Sequence, residues 1–133
     1  MGLCIGAKNA EYEDTFRIGY GGFYALKREI MNSISKRAGE LYEQWVKAGI
    51  MPKLYKPLTD DELKEFNELI PDGLGILLNH SDCDGSLTYQ ESRAIYKAIK
   101  NVKIESEHLK PLLVQLKKIL QNSSKIRRNL YFY

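Results

Sequence analysis

The stretch Thr15-Phe16-Arg17-Ile18-Gly19-Tyr20-Gly21-Gly22-Phe23-Tyr24-Ala25-Leu26-Lys27-Arg28 carries the chain from one kind of secondary structure to another. Residues 15–20 are rich in β-branched and aromatic side chains and read as a strand. From Phe23 onward the apolar residues Phe23, Leu26, Ile30, Ile34, Ala38, Leu41 and Trp45 recur at three- and four-residue steps. That spacing places them on one face of a helix over residues 23–48, ending near Gly49. A strand feeding a long amphipathic helix predicts an α+β fold rather than an all-helical one.

Upstream, residues 2–7 are short, apolar and punctuated by glycine, and the charged run Glu11 to Asp14 separates them from the strand at 15–20. This predicts a small hairpin, with Cys4 as a buried apolar thiol in its first strand. Downstream, Pro52 and Pro57 mark an extended connection carrying Leu54 and Tyr55. Thr59-Asp60-Asp61-Glu62 has capping-box spacing, so a helix should start there and run to about Ile70, where Pro71-Asp72-Gly73 interrupts it. Leu74 to Leu78 leads into a loop, and Thr88 to Glu91 repeats the capping-box pattern before a helix burying Ile95, Tyr96 and Ile99. Ser106 is the expected cap of a last helix, with a stripe of Leu109, Leu112, Leu113, Leu116, Ile119 and Leu120, broken by Asn122-Ser123-Ser124. Leu130 to Tyr133 reads as a terminal strand. The expected architecture is one α+β domain over residues 1–133. Its small antiparallel sheet, the N-terminal hairpin plus the C-terminal strand, is covered by about four helices.

With 133 residues, 44% hydrophobic and 28% charged, the composition is that of a globular domain and excludes a disordered or fibrous chain. The longest apolar runs fall far short of the roughly 20 residues a membrane span requires. Two cysteines and no signal-peptide pattern point to free thiols and the cytoplasm. Gly2 with Cys4 invites a check for lipidation, but Gly6 stands where a myristoylation motif wants Ser or Thr. The formal net charge of +3 conceals a bipolar chain, with an acidic segment over residues 60–91 and a basic one over 93–133.

The run His80-Ser81-Asp82-Cys83-Asp84-Gly85-Ser86-Leu87-Thr88-Tyr89-Gln90-Glu91 nearly fits a twelve-residue EF-hand calcium loop. Such a loop takes oxygen ligands from positions one, three, five, seven and nine, a glycine at six and a bidentate glutamate at twelve. Asp82, Asp84, Ser86, Thr88 and Glu91 occupy positions three, five, seven, nine and twelve, with Gly85 at six. His80 at position one departs from the pattern, and no second hand is visible to pair with the first. The expected cofactor, if the loop holds one, is Ca2+. A softer metal on His80 and Cys83 lacks a second ligand pair, and Asx turns capping the next helix would explain the same residues without an ion.

Between strand and helix, Arg17, Gly19, Gly21, Gly22, Lys27 and Arg28 form a second candidate site. Glycines there let backbone N–H groups approach an anion at the positive end of the helix dipole. The pattern is neither a dinucleotide fingerprint nor a P-loop, and a tight turn entering a helix accounts for it as well. Lys117, Lys118, Lys125, Arg127 and Arg128, followed by Tyr131, Phe132 and Tyr133, combine cations with stackable rings as single-strand nucleic-acid binders do. Catalysis has thin support. A Cys83 nucleophile would need His80 or His108 as base, with an orienting group and an oxyanion site that spacing alone does not supply.

Met1-Gly2-Leu3, Ile18-Gly19-Tyr20 with Phe23 ahead of the long helix, and His80-Ser81-Asp82-Cys83-Asp84-Gly85 resemble small uncharacterised proteins of bacteria and their phages. These share an N-terminal Met-Gly-Leu and a central His-Ser-Asp-Cys motif followed by an acid and glycine. The resemblance implies a cytoplasmic, prophage-borne protein, gives the histidine a role of its own, and implies no substrate. The expected function is a non-enzymatic binding protein that presents a surface to another protein, inhibition of a host factor being one form this would take. The alternative is a binder of a phosphorylated small ligand or nucleic acid through the glycine-rich turn, with a metal-dependent hydrolase third and no membrane partner.

Overall fold

A computed structural model describes residues 2–6, 16–80 and 85–132. Strands β1 (Gly2–Gly6) and β2 (Phe16–Gly19) pair antiparallel, with Leu3 opposite Ile18 and Ile5 opposite Phe16. The expected charged turn between them lies outside the described residues. Along β2, Phe16 and Ile18 are buried while Arg17 and Gly19 face out, the period-two alternation of a sheet with one covered face.

The chain then turns directly into α1 (Tyr20–Ile34) and α2 (Lys36–Ile50). The single long helix expected over 23–48 is therefore two. Ser35, with φ −165° and ψ 154°, is extended, and its hydroxyl accepts from the Ala38 N–H at 3.0 Å, which caps α2. The helices fold back on each other: Tyr24 stacks on Tyr42 with centroids 6.0 Å apart, and Arg28 reaches Glu43 at 3.2 Å. The apolar stripe runs unbroken through the bend because both helices face the same core, so periodicity alone hides the break.

After the connection at 51–59 come α3 (Asp60–Leu69), with the full Thr59–Glu62 capping box, and the short α4 (Leu74–Leu78). Two residues, β3 (Ser86–Leu87), precede α5 (Tyr89–Ile99), whose Thr88–Glu91 capping box is also complete. The last helix, α6 (Lys110–Ile126), starts four residues after the expected cap. The Ser106 carbonyl instead accepts from the Leu109 and Lys110 N–H groups, and Pro111 lies in the first turn of α6. Nor does α6 break at residues 122–124. Ser123 is buried; its hydroxyl donates to the Arg128 carbonyl at 2.5 Å and accepts from the Ser92 hydroxyl at 3.1 Å, so the polar side chain is satisfied. The helix ends at Arg127, which has left-handed φ 54° and ψ 47°.

Strand β4 (Leu130–Phe132) closes an antiparallel sheet of order β2-β1-β4-β3. The described residues thus form a small α+β fold with six helices rather than about four. One cluster joins sheet and helices through Ile5, Phe16, Phe23, Leu26, Ile30, Leu41, Leu74, Leu77, Ile95, Leu116, Leu120 and Phe132. Cys4 is a buried free thiol, and among the described residues no helix is long and apolar enough to cross a membrane.

Candidate functional site

The calcium-like loop shows its two ends. Asp82 and Asp84, with Cys83, lie outside the described residues. At the exit, Glu91 Oε1 accepts from the Thr88 N–H at 2.9 Å while the Glu91 N–H donates to Thr88 Oγ1 at 3.1 Å. Gly85 has φ 101°, the left-handed conformation that position six requires. Ser86 is an exposed strand residue paired with Tyr131, so the exit of the loop finds its partner strand in β4 of the same chain.

At the entrance, His80 Nε2 lies 3.0 Å from the Ser86 carbonyl oxygen. A carbonyl only accepts, so Nε2 carries the proton and donates. The imidazole also stacks on Phe132, centroids 3.8 Å apart at 25°. In an EF-hand the residue at position one and the backbone carbonyl at position seven both bind the ion. Here the position-one side chain is bonded to the position-seven carbonyl itself. Among the described residues no three His, Cys, Asp or Glu side chains gather as a metal site.

The glycine-rich set divides. Because α1 begins at Tyr20, Gly21 and Gly22 belong to its first turn and Gly19 is its N-cap. Gly22 packs toward Ile18, Arg17 is exposed on β2, and Arg28 turns to Glu43. Lys27, one residue and about 100° away around the helix, is only 4% exposed and holds its ammonium 4.2 Å from the centre of the Phe23 ring. Of the six, Gly21 and Lys27 line a common cleft.

That cleft, of about 660 Å³, lies where α1, α2 and the end of α4 meet, and its wall is mostly apolar: Tyr24, Tyr42, Trp45, Val46, Ile50 and Leu78, with Lys27, Lys47 and His80 at its polar points. The rings form a continuous row, Tyr42 to Trp45 at 6.1 Å and Trp45 to Phe66 at 6.1 Å following the Tyr24–Tyr42 stack. The Tyr24 hydroxyl is buried with no hydrogen-bond partner among the described residues. Glu43 Oε1 accepts from Lys47 at 2.7 Å; that bond, with the Arg28 charge, holds the Glu43 carboxyl below its ordinary range, and the same bond to Glu43 holds Lys47 above its own. Beyond the cleft the apolar surface continues outward: Ile50 is 73% exposed and Leu54 75%, with Met51 and Tyr55 also exposed beside them.

The chain matches no family model, no curated protein and no solved structure. Its site therefore rests on geometry. The sequence placed Trp45 on the core face and Leu54 and Tyr55 in an extended connection, but nothing local marked Tyr24, Tyr42 and Ile50 as neighbours. They meet because Ser35 folds α2 back on α1. Of the C-terminal cations and rings, Lys117 donates to the Val102 carbonyl at 2.7 Å, Phe132 is buried under His80, and Tyr131 is exposed on β4.

Proposed function

We propose that this chain is a non-enzymatic interaction protein that docks on another protein through Ile50, Met51, Leu54 and Tyr55, with an apolar side chain of the partner entering the ring-walled cleft. The observation that carries this reading is the exposure of Ile50 at 73% and Leu54 at 75% next to a cleft of about 660 Å³. Covering a large aliphatic side chain is worth about 1.5–3 kcal/mol, so two such residues and an aromatic anchor make a workable hot spot. Trp45, the only tryptophan of the chain, lines the cleft and reports on its occupancy.

The test is selection of displayed peptides against the protein. Enriched peptides should carry Trp, Phe or Leu anchors, change Trp45 fluorescence, and bind an Ile50→Glu/Leu54→Glu variant about tenfold more weakly, a loss near 1.4 kcal/mol. Peptides that bind the variant as well as the parent would overturn the reading.

A second reading is favoured by the buried, unpartnered Tyr24 hydroxyl: a small ligand with an apolar body and one hydrogen-bonding oxygen. A small aromatic carboxylate that quenches Trp45, and does so less in a Tyr24→Phe variant, would support it. A phosphorylated ligand has less support, because Arg17 and Arg28 of the expected cationic set do not line the cleft.

A further inference from the structure

The pair α5 and α6 is fixed at both ends. Arg93 Nε donates to Ser124 Oγ at 2.9 Å beside the buried Ser92–Ser123 bond, and Lys117 Nζ donates to the Val102 carbonyl just past the end of α5. Residues 92–93 thus meet 123–124 while 102 meets 117, so the two helices run antiparallel. Along α5, Arg93, Lys97 and Lys100 follow one another at steps of four and three, the spacing of one helix face, and all are exposed. Since Arg93 touches Ser124, that face borders α6. On α6, Lys118 and Lys125 stand two turns apart and exposed, and Lys103 is exposed in the connection.

What distinguishes these cations is their crowding on a segment poor in acids, since residues 93–133 hold ten Lys and Arg against two acids, Glu105 and Glu107. Among the described residues none of Lys97, Lys100, Lys103, Lys118 and Lys125 forms an ion pair; the exposed Lys36, Lys53, Lys56 and Lys64 form none either, but Lys64 stands among the acids of α3 and the other three lie on no common helix face. Lys103 also sits near enough to Lys117 to help push its pKa down, after the larger effect of burial. Surfaces of small domains ordinarily intersperse the two signs, and crowding one sign opposes folding through self-repulsion. A face that keeps such a cost is suited to a dense external anion.

We infer that the α5–α6 face binds the phosphate backbone of double-stranded nucleic acid without regard to sequence. The row from Arg93 to Lys100 is about 10 Å long at 1.5 Å per residue, and a duplex presents a charge about every 1.7 Å along its axis, so each row faces several phosphates. Base stacking does not contribute through Phe132, which lies in the core under His80. An anionic membrane is the poorer fit, since an interfacial helix needs an apolar stripe to insert and α6 exposes, among the described residues, just the separated large apolar side chains Val114 and Ile126. This inference uses none of the residues of the docking surface and stands apart from it.

The experiment is fluorescence anisotropy with a labelled random-sequence duplex of about 20 base pairs, over about 50–200 mM salt. Binding should weaken linearly in log–log form as salt rises, with a slope of about −0.9 per phosphate neutralised. A Lys97→Gln/Lys100→Gln/Lys118→Gln variant should bind about tenfold more weakly with a slope shallower by about 2–3. A Lys36→Gln/Lys53→Gln/Lys64→Gln variant, with the same loss of charge elsewhere, should bind as the parent does. Equal weakening in both variants, no binding at the lowest salt, or binding only to phosphatidylserine vesicles would each overturn the inference.

Discussion

At His80 the imidazole N–H points at the Ser86 carbonyl oxygen, the group that position seven of a calcium loop offers to the ion. The ring thus links positions one and seven directly, where a calcium loop links them through the cation. Replacing it with the carboxylate of the EF-hand pattern, His80→Asp, frees that carbonyl and adds a hard anionic ligand, so calcium affinity by calorimetric titration should rise at least tenfold. Adding Glu91→Gln should cancel the gain by removing the bidentate closing ligand. Without calcium, His80→Asp should cost about 1–2 kcal/mol from the lost stacking on Phe132 and the lost hydrogen bond, and calcium should restore part of it. A second residue-level test is Gly73, which has φ 90° and whose added Cβ would lie 2.5 Å from the backbone oxygen of Ala94. Gly73→Ala combines a disfavoured backbone with a clash against a carbonyl that cannot swing away. Urea unfolding should show a loss of about 1–3 kcal/mol or more.

Between elements, the one-residue bend at Ser35 builds the cleft, because it brings Tyr42 and Trp45 of α2 beside Tyr24 of α1. Ser35→Ala removes the cap on α2 and should cost about 1 kcal/mol in urea midpoint analysis. The Arg28–Glu43–Lys47 set ties the same two helices. Glu43 has its pKa lowered by the Lys47 hydrogen bond and then by Arg28 and Lys47 charge, partly opposed by burial. A depressed folded pKa contributes stability above the ordinary carboxylate range that is lost as pH falls through the folded pKa. The acid limb of the stability profile should therefore flatten in Glu43→Gln. Both capping boxes were legible in the sequence because a box closes within four residues, and so were β1, β2 and β4. The bend at Ser35 was not, since Ile34 and Ala38 continue the apolar period across it. Nor was Ser123 inside α6, whose burial depends on Ser92, 31 residues away. Of the glycine-rich candidates, only Gly21 and Lys27 share the cleft, because neighbours on a helix point in different directions.

For the molecule as a whole, the question is why Ile50 and Leu54 remain in water when the core is filled by others. If they served as a cover holding the cleft closed, making them polar would weaken the fold. If they serve a partner, the isolated protein loses nothing by their change. Substitutions at exposed sites outside such structural roles usually alter stability by no more than about 0.5 kcal/mol, and a solvent-facing glutamate in place of an apolar residue also lowers the tendency to self-associate. Ile50→Glu/Leu54→Glu should therefore leave the unfolding free energy within about 0.5 kcal/mol per substitution while weakening binding of apolar peptides about tenfold. It should also leave duplex binding at the α5–α6 face intact, apart from the small effect of two added negative charges. A stability loss several times larger would make the two residues a lid over Trp45 and return the docking surface to the fold.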